Sequence, residues 1–499
     1  MIGVRSVARL GSRVPRLPAG LAGLLLTVVV VGAVWALLVP PWQTPDEIAH
    51  YAYAQDLAEN FRLPPRQPIG AASAHQESTD QGVADNAAGA SRGAFFPQTA
   101  PPEWDPAVWA TYRAEERANP APSRSDGGGP NPAASNPPLY YLYADIAYFF
   151  DYGGTAFGRL YAMRLWGVLM VALNALAGWL LAGEVFGRRR LPQLACGAVA
   201  GLWPMQTFMG ASVNPDSLMV PLWTFAFWLG ARVIIRHAQV RDAIALCAVA
   251  AAAVLTMATS YALLPAVALA LFAGWRGRPA EQRRAALRQL SLASLALVVP
   301  VLGWLALGRA LGRSAINSIA AGAHPAPFNV RQFASYVWQF YLPRLPGMVR
   351  FRWTSGLPAY DVWLKEGTAT FGWLVVPVSA WIYKAVAIVI GVIGLAALWF
   401  MAKLRGRTAL WLIAFFALAL VVLVGGLHFT EYRSIINGQG HILQGRYLLP
   451  VIGLLGLAFA LVISRVPARW RPGACMGVLI LLLCLQLLSM SAVVKAYYL

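Results

Sequence analysis

Charged side chains are scarce in this chain. They make up 12% of its 499 residues, whereas hydrophobic residues make up 58%. Soluble domains average about 25% charged residues, so this composition excludes an ordinary soluble fold. Apolar runs of about 20 residues recur along the chain and are long enough to cross a bilayer as helices. The sequence therefore predicts an all-α polytopic membrane protein.

Cysteine is also rare. The chain has four cysteines, and all of them fall inside predicted spans, at Cys196, Cys247, Cys475 and Cys484. Since the long loops contain no cysteine, a disulfide framework and a cysteine-based zinc site are both excluded. We expect these residues to be small buried apolar groups.

Acidic residues number 21 against 40 basic ones, which gives a net charge of +19. The basic residues form short clusters between apolar runs and no continuous basic face, so nucleic acid is not an expected partner. Excess Lys and Arg in short loops mark the cytoplasmic side. If the chain crosses the membrane about eleven times, all these clusters lie on the cytoplasmic side, with the N-terminus inside and the C-terminus outside. Residues 243–259 and 263–275 are barely long enough to cross.

The first apolar run, residues 21–39, resembles a secretory signal because basic residues precede it. It is too long for a typical signal core and no small-x-small cleavage site follows, so we interpret it as a retained anchor. The spans and loops divide the chain into five parts. These are the N-terminus with the first helix (1–39), a long first outside loop with juxtamembrane helices (40–157), a membrane bundle (158–311), a second outside region (312–380), and C-terminal spans (381–499) with a short outside loop (428–446).

Twelve of the 21 acidic residues lie between residues 40 and 138, which makes the outside the acidic side. Within this loop, residues 69–94 and 119–135 are too rich in small and polar residues to fold independently. Residues 101–117 are expected to form a short surface helix. In the second outside region, residues 328–340 have the pattern of an amphipathic helix at the membrane interface.

Two adjacent carboxylates, Asp46 and Glu47, follow the first span directly. A structural interpretation is available, because Thr44, Pro45 and Glu47 fit the N-cap, first and third positions of a helix with a capping box. The alternative is chemistry at the membrane surface, with one carboxylate as a general base. The position of the pair at a membrane exit favours the second interpretation.

On such a helix Asp46, His50 and Tyr53 share one face, whereas Glu47 points about 100° away. Only one of the two carboxylates can then easily address a given reacting atom. His50 lies one turn after Asp46, so it can pair with Asp46 or help to hold a cation.

Two other outside segments also allow both a structural and a functional interpretation. Asn214 and Asp216 suit the start of a helix, or place a second acid in the same cavity. Tyr140 and Tyr141 suit an aromatic belt at the interface, or line the cavity, where flat rings fit sugar faces and prenyl chains.

Arg446 and Tyr447 lie at the outside mouth of a span. Arg446 can snorkel to lipid headgroups, or its planar fork can clamp a phosphate. The same segment supplies His441 and Gln444 as substrate-binding candidates. Other outside-facing candidates for phosphate binding are Arg344, Arg350, Arg352 and Arg433.

Seven short motifs follow one another along nearly the whole chain. They are Pro45-Asp46-Glu47 with His50, residues 136–141, residues 159–165, Asn214-Pro215-Asp216, residues 340–343, Phe371-Gly372-Trp373, and residues 444–447. As an ordered set they resemble the GT-C class of membrane glycosyltransferases. They are most similar to an uncharacterised bacterial family of predicted membrane proteins related to that class.

The resemblance implies transfer of a sugar, with inversion, from a polyprenyl-phosphate donor to a hydroxyl of a glycan or lipid acceptor. The reaction would occur at the outer face of a bacterial plasma membrane. Asp46 would be the catalytic base with Glu47 as its substitute, and Arg446, Tyr447, Arg433 and Arg352 would bind the donor phosphate. The implied substrate contacts are His50, Tyr53, Tyr140, Tyr141, Asn214, Asp216, His441 and Gln444.

Metal use varies within the class, so Asp46, His50 and Asp216 are a candidate site for Mg²⁺ or Mn²⁺.

Two other functions compete with catalysis. A transporter or flippase of polyprenyl-linked or other lipids would also need an amphipathic cavity with phosphate-binding arginines. Transporters usually place such sites near the membrane midplane, whereas the polar groups here gather at one face. A non-catalytic scaffold for envelope assembly would use the carboxylates only as helix caps.

Overall fold

A computed structural model gives the structure of the protein. It describes residues 17–64, 131–312, 326–353 and 356–499, together with four single positions, Ala107, Ala110, Ala114 and Arg117. These four are helical and exposed, in the segment where the sequence predicts a short surface helix. Residues 69–94 and 119–130, which are expected not to fold independently, lie outside the described residues.

Helices account for most of the described chain, and we number the longer ones α1 to α15. They are α1 (Ala19–Leu38), α2 (Glu47–Asn60), α3 (Leu139–Phe150), α4 (Ala156–Phe186), α5 (Arg190–Leu202), α6 (Pro204–Gly210), α7 (Asp216–Ile235), α8 (Val240–Thr256), α9 (Leu264–Arg276), α10 (Arg283–Ala310), α11 (Val330–Tyr341), α12 (Ala380–Ala402), α13 (Arg407–Ile436), α14 (Ile452–Arg465) and α15 (Arg471–Tyr497).

Shorter elements connect them. Turns of 3₁₀ helix occupy Pro132–Ser135, Ala258–Leu263, Ala280–Gln282 and Gly445–Val451. A π-helical segment, Tyr360–Glu366, leads into the single turn Gly367–Ala369. Two short antiparallel strands follow, β1 (Thr370–Phe371) and β2 (Val376–Pro377), with Thr370 opposite Pro377 and Phe371 opposite Val376.

The prediction of an all-α polytopic membrane protein is confirmed. Within the described ranges, nine helical segments are long and apolar enough to cross a membrane. Two further apolar helices are shorter. One is α8, with 17 residues, and the other is α5, which stops after 13 residues. Pro204 starts a separate helix, α6, because a proline has no N–H to continue the hydrogen bonding of α5.

Small residues bring the central helices close together. On α4, a Cβ added to Gly178 would lie 3.0 Å from the carbonyl oxygen of Cys196 on α5. Membrane helices associate through such close backbone contacts, because lipid gives them no hydrophobic driving force to pair. Cys196, Cys247 and Cys475 are buried, as the sequence predicts, whereas Cys484 is exposed.

The amphipathic helix predicted for residues 328–340 forms as α11. Its N-cap residue, Asn329, accepts a hydrogen bond from the backbone N–H of Gln332. The buried side of α11 presents Tyr336 and Phe340 to α13, where the Tyr336 hydroxyl lies 2.9 Å from His428 Nδ1.

One buried ion pair fixes the path of the chain after α1. Glu47, the first residue of α2, binds Arg164 of α4, and both side chains are fully buried. Arg164 donates from Nε to Oε1 at 2.8 Å and from Nη2 to Oε2 at 2.5 Å. We call this pair the Glu47–Arg164 clamp.

The clamp also satisfies backbone groups around it. The remaining N–H groups of Arg164 donate to the carbonyl oxygens of Ala36, Val39 and Pro40, at the C-terminal end of α1. Glu47 in turn accepts hydrogen bonds from the backbone N–H groups of Trp42 and Val213. At the end of a helix, carbonyl groups have no hydrogen-bond partner inside the helix. Here one guanidinium donates hydrogen bonds to three such carbonyl groups.

The predicted capping box at Thr44 is wrong. Helix α2 begins at Glu47, and Asp46 occupies the N-cap position without a capping hydrogen bond from its side chain. The Thr44 hydroxyl is buried without a hydrogen-bond partner among the described residues. The box fails because Glu47 is held by Arg164, so its carboxylate cannot turn back to the N-cap.

We expect Glu47→Gln and Arg164→Met each to lower the free energy of unfolding by about 3–5 kcal/mol, since each leaves the other partner buried and unpaired. The losses should not add in the double variant, because both remove the same interaction. Denaturant unfolding of the purified protein in detergent measures this. Arg188→Met, at an exposed position, is the control. Wild-type stability of Glu47→Gln would contradict a structural role for the clamp.

Candidate functional site

The structure brings Asp46 and Arg446 together from positions 400 residues apart in the chain. Asp46 ends the loop after α1, and Arg446 lies in the 3₁₀ segment before α14. The Nη2 group of Arg446 donates to Asp46 Oδ2. The Arg446 side chain is 4% exposed and that of Asp46 is 46% exposed. A ligand can therefore approach the carboxylate, with the guanidinium behind it.

Arg446 is held in place by its surroundings. Its Nε donates to the side-chain oxygen of Gln444 at 2.6 Å, and its guanidinium carbon lies 5.4 Å from the centre of the Tyr447 ring. Its Nη1 lies 3.5 Å from the carbonyl oxygen of Pro45. Such a buried and oriented guanidinium does not snorkel to lipid headgroups. The phosphate-clamp interpretation remains, in which Gln444 positions the arginine and Tyr447 packs against it.

Asp46 has an unusual backbone conformation. Its φ of 60° and ψ of 9° lie in the left-handed region, which costs a non-glycine residue about 1–3 kcal/mol. Such conformations cluster at functional sites, where the surrounding structure enforces them. Here the clamp holds the next residue, and the Asn214 side chain donates to the carbonyl oxygen of Pro45 at 3.2 Å.

The electrostatic environment keeps Asp46 ionised. Burial alone would raise its pKa, but the charge of Arg446 and its hydrogen bond outweigh that effect. The pKa of Asp46 is therefore below the ordinary value of an aspartate. In the ligand-free protein this carboxylate is a weak base, because Arg446 stabilises its charged form.

Glu47 does not share the site of Asp46. It is fully buried, and both of its oxygens are occupied by the clamp. The structure thus places the expected substitute base in a structural role. The two adjacent carboxylates point to different surroundings, but not for the reason predicted, because Asp46 precedes the helix in a left-handed conformation and does not lie on its face.

A second acid, Asp216, lies at the start of α7 close enough to Arg446 for their charges to interact. It is buried, and its Oδ1 has no hydrogen-bond partner within the described ranges. Asn214 accepts a hydrogen bond from the backbone N–H of Asp216 at 3.0 Å, as expected for the start of a helix. Asn214 is therefore a positioning residue that joins α7 to the loop of Asp46.

The aromatic candidates support α2 and do not form an interfacial belt. Tyr140 and Tyr141 are buried, which contradicts both the belt and a direct place in an open cavity. The Tyr141 ring stacks on Tyr53 with 3.5 Å between ring centres, and its hydroxyl lies 2.9 Å from His50 Nδ1. Asn136 donates to the same hydroxyl at 3.1 Å.

His50 hydrogen-bonds Tyr141, and not the side chain of Asp46 as the sequence suggests. Burial lowers the pKa of His50 to about 4 in spite of the nearby charge of Asp46. The imidazole is therefore neutral near pH 7. Its place beside the acid adds no positive charge to the site.

The candidate metal ligands do not converge. The described part of the chain contains no group of three or more His, Cys, Asp or Glu side chains that could hold a metal ion. The carboxylate of Asp46 faces a guanidinium, and the Nδ1 of His50 faces a tyrosine hydroxyl. The donor set of Asp46, His50 and Asp216 thus does not fit a divalent cation.

Arg433, Arg352 and His441 belong to a neighbouring network. Arg433 donates to the carbonyl oxygen of Ala326 at 2.6 Å. His441 bridges Glu431, at 2.7 Å from Nδ1, and the carbonyl oxygen of Arg352, at 2.9 Å from Nε2. Both partners can accept a hydrogen bond, and the hydrogen bond to Glu431 raises the pKa of His441.

An apolar pocket of about 160 Å³ begins next to Arg446. One of its lining residues is Gly445, and its far walls belong to the membrane helices α12 and α14. The lining residues are Trp203, Trp363, Gly367, Thr368, Ile390, Gly445, Leu448, Leu449, Val451, Ile452 and Leu455.

Residues 29–455 match the model of a family described as "Predicted membrane protein (DUF2142)". The chain belongs to this family. The match confirms the predicted similarity to a family of predicted membrane proteins. The chain is therefore a multi-pass membrane protein of the DUF2142 family. No curated protein matches the chain.

Several solved structures are similar to this DUF2142 chain. ArnT from Cupriavidus metallidurans in the apo state has 13% identity and a TM-score of 0.45, covering 91% of this chain and 62% of ArnT. ArnT bound to undecaprenyl phosphate has the same identity and TM-score, with coverages of 94% and 64%. The oligosaccharyltransferase AglB from Archaeoglobus fulgidus, in complex with an inhibitory peptide and a dolichol-phosphate, has 10% identity and a TM-score of 0.44, with coverages of 96% and 56%.

The chain spans less than two thirds of the length of these relatives. The likenesses are distant, so a function for this DUF2142 protein has to be argued from its own site.

Two residues of the site are not among those singled out from the sequence. Arg164 lies in a matched motif, yet its role was not predicted, although an arginine within an apolar span indicates a buried acidic partner. Glu366 carries no motif signal. Its carboxylate accepts a hydrogen bond from the backbone N–H of Gly445 at 3.0 Å, and its charge interacts with that of Arg446. Burial raises the pKa of Glu366 to about 7.

The raised pKa of Glu366 predicts a pH dependence of stability. Between pH 4.5 and 7 the folded protein binds more protons at Glu366 than the unfolded chain does, whereas it binds fewer at His50. The two groups act in opposite directions, and Glu366 contributes a fall in stability with rising pH of at most about 1.4 kcal/mol per pH unit. Glu366→Gln should lose this slope, measured by unfolding across that range. Glu281→Gln, at an exposed position, is the control. Equal slopes in wild type and Glu366→Gln would refute the assignment.

Proposed function

We propose that this protein is an inverting GT-C-type glycosyltransferase that moves a sugar from a polyprenyl-phosphate donor to a hydroxyl of a glycan or lipid acceptor. The observation that carries the proposal is the pairing of a half-exposed carboxylate, Asp46, with a buried guanidinium, Arg446, beside an apolar pocket. These three features match a proton acceptor, a phosphate clamp and a site for a prenyl chain.

In this mechanism Asp46 removes the proton of the acceptor hydroxyl as its oxygen attacks the anomeric carbon of the sugar. The bond from that carbon to the phosphate oxygen breaks, and polyprenyl phosphate leaves with the electron pair. Arg446 stabilises the negative charge on the departing phosphate. A single displacement inverts the configuration and needs only one base, which agrees with the burial of Glu47.

Donor binding would also activate the base. A phosphate that engages Arg446 competes with Asp46 for the same guanidinium. When the phosphate takes over these hydrogen bonds, the interaction that lowers the pKa of Asp46 weakens, and the carboxylate becomes a better proton acceptor. The site would then become basic only when the donor is bound.

The apolar pocket gives the prenyl chain a place. It begins at Gly445, adjacent to Arg446, and its walls include Ile390 of α12 and Leu455 of α14. A phosphate at Arg446 would therefore have its tail directed between two membrane helices. A flippase would use the same features, and the reaction test below separates it from an enzyme.

The distribution of charge supports an extracytoplasmic site. Arg276, Lys403 and Arg465 lie at or just after the C-terminal ends of α9, α12 and α14. Asp46 and Arg446 lie before α2 and α14, at the other end of the bundle. Since basic clusters mark the cytoplasmic side, we infer that the site faces the outside of a bacterial plasma membrane.

Asp46→Asn should lower the rate of sugar transfer by roughly 10²–10⁴-fold, because it removes the base while keeping the side-chain shape. Donor binding should survive in this variant and should weaken in Arg446→Gln. Labelled polyprenyl-phosphate sugars and a panel of glycan acceptors, supplied to the reconstituted protein, provide the measurement.

Glu281→Gln, which also converts an acid to an amide, is the matched control and should transfer sugar at the wild-type rate. Transfer by Asp46→Asn at the wild-type rate would refute the base assignment. Movement of labelled lipid between leaflets by the wild type, without any glycosidic bond formed, would establish the flippase instead.

Filling the apolar pocket should act on the donor tail. Leu455→Trp should raise the apparent KM for a long-chain donor roughly tenfold and affect a short-chain analogue much less, because only the long chain reaches α14. Leu455→Met keeps the volume nearly unchanged and should behave as wild type. An equal effect of Leu455→Trp on both donors would place the tail elsewhere.

A further inference from the structure

Arginines occur in the second outside region, where topology disfavours them. Arg344, Arg350 and Arg352 lie within nine residues of one another, on the side of the membrane from which Lys and Arg are usually depleted. In the described part of the chain, the guanidinium groups of Arg350 and Arg352 form no ion pair and no hydrogen bond, and both side chains are exposed. Within the described ranges these two cations therefore have no anionic partner.

These arginines form a pocket. An open surface pocket of about 500 Å³ is lined by Arg350, Phe351, Arg352 and Trp353. The pocket thus presents two cationic guanidinium groups, which is the chemistry that recognises an anionic oxygen group.

The backbone of this segment is held in place by other elements. The carbonyl oxygen of Val349 accepts hydrogen bonds from Ser335 Oγ at 3.1 Å and Gln339 Nε2 at 2.6 Å. The backbone N–H of Phe351 donates to Gln339 Oε1 at 3.3 Å. A preorganised segment loses little freedom when it binds a ligand, so these contacts favour a binding site.

The pocket is also joined to the candidate active site. His441 holds the carbonyl oxygen of Arg352, and it is followed along the chain by residues 442 and 443, whose N–H groups donate to Glu431. The same loop continues directly to Gln444 and Arg446. One hydrogen-bonded loop therefore connects the cationic pocket with Arg446.

We propose that Arg350 and Arg352 bind a phosphate group carried by the acceptor. The inference rests on the proposed function, in which Arg446 already matches the phosphate of the donor. A second cationic pocket on the same side fits a second anion. A bilayer lipid headgroup offers the same phosphate chemistry as a phosphorylated glycan, so the experiment has to separate the two sources.

The binding experiment uses the full chain in nanodiscs of phosphatidylcholine and a soluble oligosaccharide, with and without one phosphate. Wild type should bind the phosphorylated form roughly tenfold more tightly, and Arg350→Gln/Arg352→Gln should lose that preference. Arg405→Gln/Arg407→Gln removes the same charge at exposed positions at the opposite end of the bundle and should keep the preference.

A second experiment replaces phosphatidylcholine with phosphatidic acid. If wild type retains this lipid more strongly than Arg350→Gln/Arg352→Gln but binds no phosphorylated sugar, the pocket is a lipid site and the acceptor assignment is overturned. Equal binding of both oligosaccharides by wild type overturns it as well.

Transfer assays distinguish this proposal from the proposed function. If the protein binds the phosphorylated sugar at Arg350 and Arg352 but transfers no sugar, the pocket is a phosphate site and the glycosyltransferase proposal fails. If it transfers sugar equally well to phosphorylated and unphosphorylated acceptors, the enzyme proposal holds and the pocket assignment fails.

Discussion

The buried ion pair between Glu47 and Arg164 is the interaction on which the site depends. It brings together the C-terminal end of α1, the loop that follows it, the start of α2 and the backbone before α7, since each of them donates to or accepts from one of the two side chains. A charge pair without water is stable only when nearly all its polar atoms have partners. That requirement leaves the loop little freedom, and the position of Asp46 follows from it.

Two neighbouring carboxylates consequently have opposite roles. Glu47 is fully buried and permanently paired, whereas Asp46 is half-exposed in a left-handed conformation and faces Arg446. Asp216 and Glu366 also lie close enough to Arg446 for their charges to interact with it. A phosphate can enter such a site only if some of this negative charge is displaced or protonated. Release of Asp46 from Arg446 and the near-neutral pKa of Glu366 offer two ways to achieve that.

The sequence predicted the membrane helices and the location of Asp46 and Arg446 at one end of the bundle, because apolar length and the clustering of basic residues determine which segments share that end. That the two residues serve one site was implied only by the resemblance. The sequence did not predict the partner of Glu47. Local spacing favoured a capping box, and only an arginine 117 residues away overrides it. The sequence also did not predict the burial of Tyr140 and Tyr141 behind α2. An aromatic residue at the end of a span has the same sequence pattern whether it faces lipid or protein. Glu366 has no sequence pattern at all, and its importance comes from contact with Gly445.

The contact between Glu366 and Gly445 also explains how the apolar pocket can lie directly beside the charged side chain of Arg446. A Cβ on Gly445 would lie 2.2 Å from the backbone nitrogen of Gly367, so any side chain there would push the π-helical segment and the 3₁₀ segment apart. With glycine, the two backbones close over the end of the pocket, and the next residue, Arg446, lies at the boundary between apolar and polar surroundings. A lipid phosphate has the same boundary between its tail and its headgroup. In the proposed donor complex, the boundary between tail and headgroup would therefore lie at Gly445 and Arg446.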